Sequence, residues 1–241
     1  MEEHVYGAEL AEIYELVHRG RGKNYATETT EVAKHVWARK PDAASLLDVA
    51  CGTGGHLAFF AELFDDVEGL DMSEAMLAVA RRRRAARTLH HGDMRTFALD
   101  RRFDAITCMF GSIGYLASAA ELDAALARFA GHLVPGGVVA IDPWWFPETF
   151  IEGYVSADVV TVDERTVARV SHSRREGDAS RMHVHYVVAD ARSGARHFTE
   201  THLISLFPRA GYEAAFRRAG LTVDYIGGVQ SGRGLFVGQR D

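Results

Sequence analysis

From Ser45 to Asp142 the sequence alternates between short apolar runs and stretches of helical periodicity, and that alternation sets the fold class. The apolar runs fall at 45–50, 67–71, 88–91, 103–110 and 138–142. Each is too short for a buried helix and reads as a strand. Helical patterns occupy 56–63, 74–83 and 119–133, with Ser73 placed as an N-cap and Pro135-Gly136-Gly137 closing the third. Strands linked by helical crossovers pair in parallel, so the expected class is α/β, a doubly wound Rossmann-like sheet.

The flanks have a different texture. Glu9 to Val17 sets Leu10, Ile13, Leu16 and Val17 on one helical face. A polar stretch, Gly20 to Tyr25, precedes a second helix expected over 28–39, which Pro41 ends. After Pro143, strand patterns at 159–162, 166–173, 181–188 and 197–206 suggest an antiparallel β cap over the mouth of the sheet. Glu176-Gly177-Asp178 and Arg192-Ser193-Gly194 supply the turns between the last three. A helix over 212–219 and strands at 221–226 and 234–238 close the chain. The expected division is 1–143 for the N-terminal helices and cofactor-binding core, 144–206 for the cap, and 207–241 for elements completing the core.

Composition narrows the function. The net charge of −6 argues against a nucleic-acid partner, since phosphate binding normally shows a basic excess. The run Arg81 to Arg84 reads as the solvated C-terminal end of a helix, where cations suit the dipole. No run approaches the ~20 apolar residues that span a bilayer, and Met1 to Leu10 is too polar for a signal peptide. The two cysteines, Cys51 and Cys108, are expected as free thiols in a reducing cytoplasm.

The segment Leu46-Leu-Asp-Val-Ala-Cys-Gly-Thr-Gly54 carries a strand to the crevice where open α/β sheets bind ligands. Gly52 and Gly54 allow close approach to a ligand, and Asp48 is placed to hold a charged part of it. Asp71 ends the second strand, where a carboxylate suits ribose hydroxyls; Asp93 follows the third, where one suits adenine. Singly, each reads equally well as a turn or capping aspartate; together, after successive strands, they favour a nucleoside cofactor. A nicotinamide-dependent oxidoreductase competes, but Gly52-Thr-Gly54 does not continue as G-x-G-x-x-G, and no Walker lysine is present after it. The string resembles the D-x-A-C-G-T-G motif of class I methyltransferases. That resemblance implies S-adenosylmethionine as cofactor, held by Tyr14, Asp48, Ala50, Gly52, Gly54, Asp71, Met72, Asp93, Met94 and Met109.

Further runs resemble one family, the N-methyltransferases of nucleotide-linked amino-deoxysugars in macrolide biosynthesis, of the desosamine and mycaminose type. They are Gly20-Arg-Gly-Lys-Asn-Tyr25, Met109-Phe-Gly-Ser-Ile-Gly-Tyr115, Pro143-Trp-Trp-Phe-Pro-Glu148, Ala168-Arg-Val-Ser-His-Ser173 with Arg174-Arg-Glu-Gly177, and Ser231-Gly-Arg-Gly-Leu-Phe236. The resemblance implies a dTDP-linked 3-amino-3,6-dideoxyhexose as substrate, two methyl transfers to its C3 amine, and a homodimer. The family varies between His and Tyr at the position of Tyr115, which argues against an indispensable base there.

Methyl transfer from a sulfonium to an amine is an in-line displacement, so positioning and water exclusion supply most of the catalysis, ~7–11 kcal/mol. Tyr14, Ser112 and Tyr115 are the expected catalytic group, near the amine or the methyl. Tyr6, Tyr25, Ser112, Tyr115, Trp144, Trp145 and Arg233 are expected to line the substrate site, with Arg233 offered to a pyrophosphate between two glycines. Bland alternatives are a turn arginine, core tryptophans and a turn-capping Ser112. His183 and His185 share one strand face, with His172 nearby, but lack a third ligand at recognisable spacing, and no metal is expected. Competing functions are a methyltransferase for another small acceptor, such as a 4-amino sugar nucleotide or an alcohol, and a non-catalytic cofactor-binding protein. A nucleic-acid base methyltransferase is disfavoured further because Asp142-Pro143-Trp144-Trp145 stands where an Asn-Pro-Pro-Tyr motif would.

Overall fold

The structure is a computed structural model that describes residues 6–241, apart from the side chain of residue 231. The signal-peptide reading falls partly on residues 1–5, outside the described residues. No helix among the described residues is long and apolar enough to cross a membrane.

Two helices open the chain, α1 (Ala8–Gly20) and α2 (Tyr25–Arg39). Helix α2 starts earlier than its periodicity suggests because the Asn24 side chain accepts the Thr27 N–H at 3.0 Å. The core comprises β1 (Ser45–Val49), α3 (Leu57–Phe60), β2 (Asp66–Asp71), α4 (Glu74–Arg82), β3 (Thr88–His91), β4 (Phe103–Cys108), α5 (Ala119–Gly131) and β5 (Leu133–Ile141). Ser73 caps α4 as expected, accepting from the Met76 N–H. The cap strands are β6 (Tyr154–Val162), β7 (Arg165–Glu176), β8 (Ala179–Asp190) and β9 (Gly194–Ser205). The chain ends with α6 (Arg209–Arg218), β10 (Asp224–Ile226) and β11 (Leu235–Gln239).

The main sheet has the order β10-β11-β5-β4-β1-β2-β3. Strands β1 to β5 pair in parallel, β11 runs antiparallel to β5, and β10 runs antiparallel to β11. Strand order reverses between β1 and β4, so the ligand crevice lies above their carboxyl ends. Alternation along the strands feeds two cores. Leu46, Ala105, Val138 and Ala140 face Val32, Val36 and Phe60, while Leu47, Ile106, Val139 and Ile141 face Leu126, Phe129 and Phe216. A third cluster joins Leu10, Ile13 and Val17 of α1 to the inward residues Val167, Val184, Tyr186 and Val188 of the cap. That packing fixes the four-stranded sheet β6-β7-β8-β9 against the crevice.

Several expected boundaries shift. Helix α3 is a single turn, and residues 61–63 continue from it as non-helical turns. Strand β4 stops at Cys108 because Phe110 and Gly111 both take positive φ, 60° and 73°, and swing the chain into a one-turn 3-10 helix, Ser112–Tyr115. Pro135-Gly136-Gly137 lies inside β5 rather than ahead of it, and Leu133 pairs with Phe103 across a register shift. The strand expected over 221–226 contracts to Asp224–Ile226, with Leu221 making only a bridge to Arg240. Arg83 does not simply meet solvent: it reaches Glu15 at 3.1 Å.

Candidate active site

The turn after β1 is built on left-handed backbone. Ala50, Gly52 and Gly54 have φ of 58°, 57° and 78°. Asp71 pins that turn: one carboxylate oxygen accepts the Gly52 N–H and the other the Ser73 N–H, both at 2.7 Å. A Cβ on Gly52 meets no atom within 4 Å, because the residue faces an open cavity. Ala50, Gly52 and Asp71 form one wall of it and Met72, Asp93 and Met94 another. Asp93 is gripped by Arg95, whose Nε lies 3.0 Å from both carboxylate oxygens, and the Arg95 hydrogen bonds hold its carboxyl below the usual range. It therefore stays an ionised acceptor. Met72, two-thirds exposed, forms part of the rim. An open glycine wall flanked by two carboxylates fits a nucleoside with hydroxyl and amino donors.

Three residues expected at the cofactor do not line this cavity. Asp48 is buried beneath the turn, where it accepts the Thr107 hydroxyl at 2.7 Å, and burial pushes its carboxyl up to about 7. It is a neutralised core acid below that pH, not an open ligand for charge. Gly54 is needed for packing, since a Cβ there stands 2.3 Å from the Ala85 Cβ. Met109 is buried in the core with Ala105 and Val138.

A second cavity, of about 440 Å³, lies between the core and the inward face of the cap. That is within the range of small-molecule sites. Tyr6, Tyr14 and Tyr115 line both cavities, so the two chambers meet at these rings. Ser112 opens to the first chamber only. The tyrosines hold one another: Tyr6 and Tyr14 pack edge to face at 6.1 Å, and the Tyr6 and Tyr115 hydroxyls are 2.8 Å apart. The Tyr115 hydroxyl is also 2.8 Å from Nδ1 of His202 on β9. Burial raises the pKa of all three phenols, so they keep their protons. Burial lowers His202 to about 4, and His18, tilted against the Tyr14 ring at 4.4 Å, to about 3. At neutral pH the junction is a ring of neutral hydroxyls and imidazoles, with the Tyr115 hydroxyl and His202 Nδ1 sharing one hydrogen bond.

Trp144 and Trp145 line the second cavity, and the Trp144 indole donates to the Ser180 hydroxyl at 3.1 Å. Arg233 reaches that wall too, but not as a free cation. Its Nη2 is 2.9 Å from an Asp142 oxygen and its Nε donates to the Pro143 carbonyl at 2.9 Å. The charge offered in sequence to a pyrophosphate is already neutralised. Tyr25 lies away from both cavities: it is buried, packs against His56 at 4.8 Å and donates to Glu15 at 3.3 Å. Residues that sequence reasoning missed here are His18, Arg169, Met182, Tyr186 and His202. For the cap residues the available signal was strand parity, since Arg169, Ser171 and Ser173 alternate with Val170 and His172. Among the described residues no group of three or more His, Cys, Asp or Glu is placed to hold a metal ion. His172 instead pairs in register with His183, and His185 stacks on His197.

Comparison with known proteins fits this geometry. A methyltransferase-domain family model matches residues 46–137. The dTDP-3-amino-3,4,6-trideoxy-alpha-D-glucopyranose N,N-dimethyltransferase of Streptomyces venezuelae is 58% identical over 97% of this chain and 99% of its own. The dTDP-3-amino-3,6-dideoxy-alpha-D-glucopyranose N,N-dimethyltransferase of Streptomyces fradiae is 58% identical over 97% of this chain and 91% of its own. The crystal structure of Streptomyces venezuelae DesVI superimposes with a TM-score of 0.93 at 59% identity, covering 96% of this chain and 98% of that one. CalS10, an amino pentose methyltransferase from Micromonospora echinaspora solved with S-adenosylmethionine bound, superimposes with a TM-score of 0.88 at 50% identity, covering 95% and 97%. This chain belongs to the S-adenosylmethionine-dependent N,N-dimethyltransferases of nucleotide-linked amino sugars.

Proposed function

We propose that this enzyme methylates twice the C3 amine of a dTDP-linked 3-amino-3,6-dideoxyhexose, as in macrolide aminosugar biosynthesis. The observation that carries the reading is the meeting of two cavities at Tyr6, Tyr14 and Tyr115, one built for a nucleoside and one for an acceptor. The acceptor's identity is supported by the two relatives at 58% identity, both of which act on 3-amino sugars. The first test is mass spectrometry of products from S-adenosylmethionine and the dTDP-3-amino sugar. A gain of two methyl groups on nitrogen is expected. No gain, with cofactor binding intact, removes the substrate assignment and directs the search to 4-amino sugar nucleotides and alcohols.

Gly52, Asp71 and Asp93 would hold S-adenosylmethionine, which would supply an activated methyl on a positive sulfur. The chain's own contribution is placement and dryness. The Tyr6, Tyr14 and Tyr115 rings form the wall that orients the amine, and the cap excludes water from it. Burial at this wall favours the free amine over the ammonium. Tyr115, held protonated between Tyr6 and His202, acts as an orienting group rather than a base. Tyr115→Phe is therefore expected to lower kcat by less than about tenfold, whereas loss of a general base costs about 10²–10⁴. Steady-state kinetics distinguish the two, and a fall in the larger range overturns the orienting role.

We propose a homodimer joined through the outward face of the cap sheet. Val155, Val159, Val170, Val187 and Leu203 project from that face and are exposed, an apolar surface suited to burial against a second copy. Sedimentation should give a dimer, and Val170→Lys with Leu203→Glu should give a monomer that still binds cofactor. A cytoplasmic location is supported by the two buried free thiols, Cys51 and Cys108.

A further inference from the structure

The turn after β1 is held from outside the sheet by a carboxylate that lines neither cavity. Glu15 lies inside α1, with 17% of its side chain exposed. Its Oε1 collects donors from three other elements. The Thr53 hydroxyl, between Gly52 and Gly54, donates at 2.5 Å. Arg83 Nη1, just past α4, lies at 3.1 Å, and the Tyr25 hydroxyl, at the start of α2, donates at 3.3 Å. The second oxygen, Oε2, lies 3.3 Å from Arg19 Nε one helical turn on. Arg83 Nη1 also reaches the Thr53 carbonyl at 3.5 Å, so hydroxyl and carbonyl of Thr53 are both held. The fit is close: a Cβ on Gly55 would stand 2.9 Å from Glu15 Oε1. Docking of α1 does not need this acid, because Leu10, Ile13 and Val17 already pack the helix against the cap.

We propose that Glu15 is a positioning residue for the cofactor: from α1 it holds the Gly52-Thr53-Gly54 turn in the conformation that accepts S-adenosylmethionine. The inference rests on the cofactor assignment above and not on which amino sugar receives the methyl. Ala50, Gly52 and Gly54 all take positive φ, and a glycine-rich chain has other conformations open to it. Two carboxylates select this one. Asp71 accepts the Gly52 N–H from the sheet side, and Glu15 accepts the Thr53 hydroxyl from the helix side. Asp71 also lines the cofactor cavity, so its two roles cannot be separated. Thr53 is 1% exposed and, like Glu15, lines neither cavity, so this pair acts only through the turn. A turn released from Glu15 spends part of its time in other states, and apparent affinity falls with the fraction that stays competent. The coupling is reciprocal. Cofactor seated on the turn firms α1, and that helix carries Tyr14 at the junction of the two chambers.

The test is calorimetry of S-adenosylhomocysteine with the full-length protein in wild type, Glu15→Leu, Thr53→Val and the double variant. Each single variant should bind about tenfold more weakly, and the double by about the same tenfold, because one contact is removed from either end. Glu15→Gln keeps an acceptor for Thr53 and should stay within about threefold of wild type. Glu12→Gln is the control for loosening α1 elsewhere. Glu12 joins the helix to the cap through Arg165 at 2.9 Å and Arg196 at 3.1 Å. Its loss should leave S-adenosylhomocysteine affinity within about twofold. In turnover the effect should fall on the KM for S-adenosylmethionine, with kcat at saturating cofactor changed less than about twofold, because bound cofactor reorders the turn. Wild-type affinity in Glu15→Leu or Thr53→Val overturns the proposal, as do losses that multiply to about a hundredfold in the double variant. An equal loss in Glu12→Gln overturns it too. If Glu15→Leu does not fold, the other two decide: Thr53→Val at wild-type affinity, or Glu15→Gln losing as much as Thr53→Val, overturns it. Wild type that binds cofactor but leaves the dTDP-3-amino sugar unmethylated removes the substrate reading, and the affinities still decide Glu15.

Discussion

Gly54→Ala is expected to destabilise the fold by about 2–5 kcal/mol and to remove cofactor binding with it. Two costs add. Residue 54 sits at φ 78°, a left-handed conformation that costs an L-residue ~1–2 kcal/mol. The new Cβ also falls 2.3 Å from the Ala85 Cβ and 3.4 Å from the Ala80 Cβ, both on the α4 side of the turn. Overpacking of this kind costs ~1–3 kcal/mol, and here the clash is against two short side chains that cannot rotate away. Relief requires the turn to lift off α4, which moves Gly52 and breaks its N–H bond to Asp71. Gly52→Ala separates the two functions of the turn. It too has positive φ, 57°, but its Cβ meets nothing within 4 Å and projects into the cofactor cavity. It should stay folded, with weakened S-adenosylmethionine binding. Denaturant unfolding with and without cofactor checks both. Ligand-induced stabilisation should vanish in Gly54→Ala and shrink in Gly52→Ala. A Gly54→Ala protein with wild-type stability would show that α4 gives way more easily than its packing implies.

The contrast between these glycines shows what sequence could and could not reveal. The motif marked both as permissive, because spacing reports where a backbone turns but not which atoms stand beside it. The order of strands and helices was legible since each strand's apolar run is set by burial on both faces of the sheet. Boundaries failed where tertiary contacts decided them: Phe110 and Gly111 end β4 by positive φ, and Asn24 starts α2 by its cap. Asp71 and Asp93 reach the crevice because Asp71 is the last residue of β2 and Asp93 follows the end of β3. Asp48 was misread because it lies within β1, where parity, not proximity to the motif, turns its side chain toward Thr107. Tyr25 and Arg233 were assigned by resemblance to open roles, and the structure gives them inward partners, Glu15 and Asp142. Arg169 escaped for the complementary reason. An arginine in an alternating strand reads as solvated until the packing of Val167, Val184 and Tyr186 on α1 fixes which parity faces inward.

Breaking the Asp142–Arg233 pair is expected to cost about 3–5 kcal/mol, and the cost should depend on which partner is lost and on pH. Both residues are buried, and Phe110, Trp144 and Trp145 ring the guanidinium at 5.6–5.8 Å. Asp142→Ala strands Arg233 and also removes the acceptor of the Phe110 N–H at 2.9 Å, loosening the turn that leads to Tyr115. That variant should lose stability at every pH, since a guanidinium cannot shed its proton. Arg233→Met strands the acid instead. Burial already raises Asp142 to about 6 against the pull of Arg233, and removing that cation raises it further. The folded state then holds a proton that the unfolded state releases near the ordinary carboxylate range. Its stability is retained below that range and lost as pH rises through the folded value. Arg233→Met should thus be milder at pH 5 than at pH 8. Asp142→Asn with Arg233→Met removes both charges and should recover much of the loss, flattening the pH dependence. Denaturant unfolding of the three variants at both pH values measures each term. Equal losses for Arg233→Met at pH 5 and pH 8 would mean that Arg233 acts through packing against the two tryptophans and not through its charge.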